Sequence, residues 1–110
     1  QREKAFAQLE KLALAPSTDE GAEAAYLIIQ DQYDRGEFDC IEDRVYDFAA
    51  KASGQNYWLA KAFIVLGDAF AEKGNLAQAK ATFESIKSGY TPYGPGDEVL
   101  DQVALRLKKL

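Results

Sequence analysis

Asp31, Gly36 and Glu42 occupy the first, sixth and twelfth places of a twelve-residue loop of the kind that wraps a calcium ion. Such a loop also needs oxygen donors at its third and fifth places, and here those are Tyr33 and Arg35. A phenol and a guanidinium supply no carboxylate, and the cation repels the metal, so no metal site is expected. Three pairs of acids, Asp19-Glu20, Glu42-Asp43 and Asp97-Glu98, have the residue types for proton transfer. Each falls in or near the first turn of an expected helix, where negative charge offsets the helix dipole instead. Cys40 has no imidazole to activate it, because the chain contains no His, and its neighbours Asp39 and Glu42 are anionic. No catalytic residue and no cofactor are expected, and the chain is not read as an enzyme. The aromatic residues leave two open readings. Trp58, beside Tyr57, is expected to pack across the turn from the helix before it, the alternative being an anchor for a partner. Tyr90 and Tyr93, in the stretch GYTPYGPG at 89–96, belong to a stiff connector or to a contact loop.

The 110 residues are enough for one small domain with a core, and 47% apolar against 28% charged is an ordinary balance. The chain has no Met, so Gln1 is not a translation start and a segment of something longer is expected. No stretch has the ~20 apolar residues that cross a bilayer, so no membrane insertion is expected. Of the net charge of −5, residues 19–47 hold −8, from ten acids against Arg35 and Arg44, and the remainder carries +3. An acidic middle excludes nucleic acid as the natural partner and favours a protein or peptide with basic residues.

Apolar residues recur three and four apart almost throughout, which predicts an all-helical chain. Ala5, Phe6, Leu9, Leu12 and Ala13 make one face of a helix that stops before Pro16. Ser17 to Glu20 reads as a capping box opening a second helix, with Ala22, Ala25, Tyr26, Ile29 and Tyr33 inside and Gly36 beyond its end. A third begins near Asp39 and buries Phe38, Ile41, Val45 and Phe48. Asn56 is expected to cap a fourth, bearing Leu59, Phe63, Leu66 and Phe70 and ending at Gly74. Asn75 caps a fifth, with Leu76, Ala79, Phe83 and Ile86 inside. Two prolines and three glycines forbid helix over 89–96. Asp97-Glu98 then opens a last helix that hides Val99, Leu100, Val103, Leu107 and Leu110.

These elements repeat. Phe38, Ile41, Val45 and Phe48 recur as Leu76, Ala79, Phe83 and Ile86, each 38 residues on. Tyr26, Ile29 and Tyr33 recur as Phe63, Leu66 and Phe70 at 37. Two interlocked series at one period mean stacked helical hairpins. The stretch Phe63-x-x-Leu66-Gly67-x-x-Phe70, then Gly74, Ala79-x-x-x-Phe83 and a late Pro92, resembles the tetratricopeptide repeat. The preceding repeat fits less well, with Gln30 where the family has Gly and Ile41 where it has Ala. The resemblance implies a right-handed α-solenoid: residues 1–15 as the second helix of a truncated repeat, hairpins at 17–52 and 56–89, and a capping helix at 97–110. Tyr57-Trp-Leu-Ala-Lys-Ala-Phe and Gln78-Ala-Lys-Ala-Thr-Phe are similar to repeats of large bacterial proteins, which implies a periplasmic or outer-membrane-associated setting.

For function, the resemblance implies a scaffold whose concave face holds a peptide segment of a partner. That face would comprise Leu27, Asp31, Asp34, Lys61, Ile64, Asp68 and Glu72, with Ala24 and Ala71 beside them. It offers Leu27 and Ile64 as apolar contacts among carboxylates, suited to a basic partner with an apolar anchor. A structural spacer, a self-association domain meeting through residues 1–15, and a regulatory domain of a larger protein remain as alternatives.

Overall fold

The computed structural model describes residues 10–11, 17–52 and 54–110, all within an α-helical or connecting conformation. The helix expected over 1–15 lies, apart from residues 10–11, outside the described residues, and so does the self-association expected from its stripe. Five helices follow: α1 (Asp19–Asp34), α2 (Ile41–Lys51), α3 (Asn56–Glu72), α4 (Leu76–Gly89) and α5 (Val99–Lys109). No strand occurs among the described residues. A 3₁₀ turn, Phe38–Cys40, leads into α2.

The same device ends α1 and α3. The Glu37 amide donates to the Gln32 carbonyl at 2.9 Å, and the Asn75 amide donates to the Phe70 carbonyl at 2.8 Å. Each reversal passes through a glycine in the left-handed region, Gly36 at φ +79° and Gly74 at φ +83°. A side chain is strained there, which is why glycine recurs at these two places, one repeat apart.

Helix starts differ from the sequence reading in detail. Thr18, not Ser17, caps α1, its hydroxyl accepting from the Gly21 amide at 3.0 Å. Both residues have the right oxygen, and one step in register decides between them. Asn56 is the first helical residue of α3 and caps nothing, while Asn75 holds the cap position of α4 without a side-chain bond. Asp97 stands just before α5 and accepts from the Val99 amide at 2.9 Å. We expect Thr18→Ala to cost about 1 kcal/mol and Ser17→Ala almost nothing, read by urea unfolding. Equal losses would place the cap elsewhere.

The core is one contiguous cluster through all five helices. Ile41, Val45, Leu66, Ala79, Phe83, Val99 and Val103 are each at most 1% exposed. α3 lies at the centre, packed against α1, α2, α4 and α5, which explains its burial on several sides. At its closest approach to α4 it carries Gly67. A Cβ there would stand 2.5 Å from Cε1 of Phe83, so only hydrogen leaves room for the ring. Leu76 and Leu110, expected inside, are 55% and 45% exposed. Leu76 is the first residue of α4 and Leu110 follows the end of α5, so both stand at helix ends, outside the packed core. Phe38, the counterpart of Leu76, is half-buried because Tyr33 stacks on it, with ring centres 5.3 Å apart.

Candidate functional site

Leu27, Asp31 and Asp34 stand four and three residues apart and therefore share one stripe of α1. Lys61, Ile64, Asp68 and Glu72 do the same on α3, which packs directly against α1. The residues named from the sequence thus fall on two neighbouring helices, but their surroundings divide them.

On α3, the inner stripe is taken up by the chain itself. Lys61 bonds to Glu98 at 3.4 Å, and the guanidinium of Arg106 donates to Asp68 at 2.8 Å. The order of these two pairs shows α5 running in the same direction as α3 and along this stripe. Ile64 lies between them on the helix and is 3% exposed, so the expected surface anchor is a core residue. Ala24, expected beside it on the surface, is likewise buried. A signal for this existed in the sequence: Lys61 and Glu98 are 37 residues apart, and Asp68 and Arg106 are 38. Opposite charges one repeat period apart are placed to meet when the repeats stack.

Lys61 has further company. Its ammonium lies 4.9 Å from the ring centre of Tyr26, 5.4 Å from Tyr57 and 5.5 Å from Trp58, a three-sided aromatic enclosure with Glu98 completing the charge. Trp58 packs on Tyr26 of α1, with ring centres 5.7 Å apart. Burial pushes the Tyr26 hydroxyl up, opposed by Arg106 and reinforced by Asp34, Glu98 and Asp68. Those four charges thus act on one phenol, on the side of α1 that faces α3.

On α1 the stripe is more open. Leu27 is 39% exposed, and Asp34 is exposed while accepting from the Gln30 side chain at 3.0 Å. Asp31 pairs with Arg35 one turn later at 3.1 Å. Glu72 accepts from the Tyr33 hydroxyl at 3.4 Å, linking the ends of α1 and α3. The accessible part of the expected face is therefore Leu27, Asp34 and Glu72, with Asp31 at its edge. The supposed calcium loop dissolves here, since its first four positions are helical and Asp31 faces Arg35.

The segment 90–98 is held by its two acids. Asp97 accepts from the Tyr93 amide at 3.1 Å and from the Tyr90 hydroxyl, and Glu98 accepts from the Tyr57 hydroxyl at 2.6 Å. Tyr93 also stacks edge-on against Tyr57, at 5.4 Å, although it is largely exposed. The connector reading of this loop fits these ties. Burial would raise the Asp97 carboxyl, but bonds from the Tyr90 hydroxyl and the Val99 and Tyr93 amides outweigh it and hold the group below its ordinary value. The Tyr57 hydroxyl does most to lower Glu98, with Lys61 adding to it. Burial and these same acids push the Tyr57 and Tyr90 hydroxyls up. Lowered carboxyls contribute stability that is complete above their unfolded values and fades as pH falls through the folded ones. We therefore expect amide protection over 90–98, relative to the intrinsic exchange rate at each pH, to fall below pH 4, before the core helices open; uniform behaviour across the chain would remove these acids from that role.

Cys40 is exposed, and no group of three metal-ligating side chains assembles among the described residues. No helix among them is long and apolar enough to cross a membrane. Comparison with protein-family models, with curated proteins and with solved structures finds no match.

Proposed function

We propose that this chain is a protein-interaction module of the tetratricopeptide-repeat type, a solenoid of hairpins that holds a peptide segment of a partner and performs no catalysis. The observation that carries the reading is the alternation of the helices. α1 and α3 pack side by side, as do α3 and α5, each pair joined by side-chain contacts at the repeat period, with α2 and α4 as the returning arms. A stack of that kind presents a stripe from each forward helix on one face. Here the open part is Leu27 with Asp31, Asp34 and Glu72, an apolar contact within a carboxylate border.

The partner chemistry follows from that border. A peptide with a bulky apolar side chain and neighbouring Lys or Arg would bury its anchor on Leu27, while the exposed acids would steer and select it. Each exposed pair is worth only ~0.2–1 kcal/mol, so burial of the anchor holds the peptide. The test is an array of fluorescent nonapeptides combining Leu or Phe with Arg, Lys or Glu, titrated into the full chain. Leu27→Asp with Asp34→Lys should weaken the Arg-containing peptides at least tenfold at unchanged helix content. Unchanged affinity would remove this face. An array with no binders would favour a spacer.

A further inference from the structure

The arms α2 and α4 do not pack on each other, although both pack on α3. Between them runs an open groove of about 540 Å³, within the range of binding clefts. Leu59 and Phe63 of α3 line it with Ile86 of α4, and Tyr46 of α2 forms a wall. The Tyr46 ring is 52% exposed and meets Phe63 edge-on at 6.1 Å. The groove lies on the arms α2 and α4, apart from the stripe of Leu27, Asp34 and Glu72.

Its polar border says what it would take. Asn56, Gln78 and Ser85 line it, and no partner for their side-chain amide or hydroxyl groups occurs among the described residues. Carboxamides along an apolar trough suit a chain whose own peptide N–H and C=O groups are unpaired, which is extended peptide rather than helix. Glu42 is the charged residue of the lining, and no Lys or Arg joins it. Of the other acids near that wall, Asp39 and Asp47 are neutralised by Lys73 and Lys51, and Asp43 does not line the groove; Arg44 is taken by Glu10, and Glu42 has no ion pair among the described residues.

We infer that this groove is a second peptide-binding surface, taking an extended segment that sets a large apolar side chain against Tyr46 and Phe63 and a Lys or Arg against Glu42. The inference rests on the reading of the chain as a peptide-binding module but not on the face assigned there. It makes the module two-sided, with a different preference on each side: an anchor within a carboxylate border on α1, and an amide-bonded extended strand between α2 and α4.

The experiment uses the full chain, isotopically labelled, and two nonapeptides with a central Phe, one carrying Arg two residues on and one carrying Glu there. Fluorescence polarisation gives affinity and amide shifts give the place. The Arg peptide should move the amides of α2 and α4 and bind about threefold or more tighter than the Glu peptide, the scale of an exposed charge contact. Ala81→Phe, on the exposed side of the α4 wall, should fill the groove and cost at least tenfold, with helix content kept. Glu42→Lys should reverse the preference, read at the amides of α2 and α4. Shifts confined to α1 would overturn the groove and leave the inner face standing. No binding of either peptide, binding of an apolar dye alone, or a dimer that Ala81→Phe abolishes would each overturn it.

Discussion

Phe83→Ala is expected to lose about 3–5 kcal/mol of unfolding free energy, the usual cost of emptying a buried aromatic site. The ring is 1% exposed and fills the space between α3 and α4, so its removal leaves a cavity that two helices cannot close without moving. Against a domain stability of ~5–15 kcal/mol, that is a large part of the total. Urea unfolding followed by circular dichroism gives the value directly. A loss below about 1 kcal/mol would mean that the ring does not occupy the seam between α3 and α4.

Gly67→Ala should also destabilise, by ~1–3 kcal/mol, even though alanine is the better helix former by nearly 1 kcal/mol. Local propensity and packing therefore predict opposite signs here, and the contacts decide. A methyl group at Gly67 would meet Cε1, Cζ and Cδ1 of Phe83 at 2.5, 2.6 and 3.0 Å, and the buried ring has nowhere to go. In a Phe83→Leu background the penalty should shrink, giving a coupling within the ~0.5–3 kcal/mol of residues in contact. Net stabilisation by Gly67→Ala would show that the helices stand further apart.

Much of this fold is legible because burial on a helix writes itself as spacing. Ile41, Val45 and Phe48 are buried as their period demands, and so are Ala79, Phe83 and Ile86. Gly36 and Gly74 announce where α1 and α3 end because each reversal passes through a left-handed backbone there. What one helix cannot tell is what lies over its outward side. Ile64 has the spacing of a surface residue, yet α5 covers it, and the ion pairs that fix α5 there join residues 37 and 38 positions apart. Leu76 has the spacing of a core residue, yet it lies at a helix start, outside the packed core. Within the candidate site, Leu27 and Asp34 were legible, whereas the enclosure of Lys61 combines Tyr26 with Tyr57 and Trp58 from another helix. The groove between α2 and α4 leaves no local mark at all. It is a gap, and a gap is made by the angle at which two helices cross a third.

The proposed function rests on hairpins that stack, and the packing of α4 on α3 is the contact on which that stacking turns. Proton–proton contacts in the labelled full chain test it at one point. Cross-peaks are expected between the Gly67 α-protons and the ring protons of Phe83, with the glycine signals displaced by the ring current. Their absence, with Phe83 contacting neither Gly67 nor the residues around it on α3, would show that α4 does not pack on α3 through this ring.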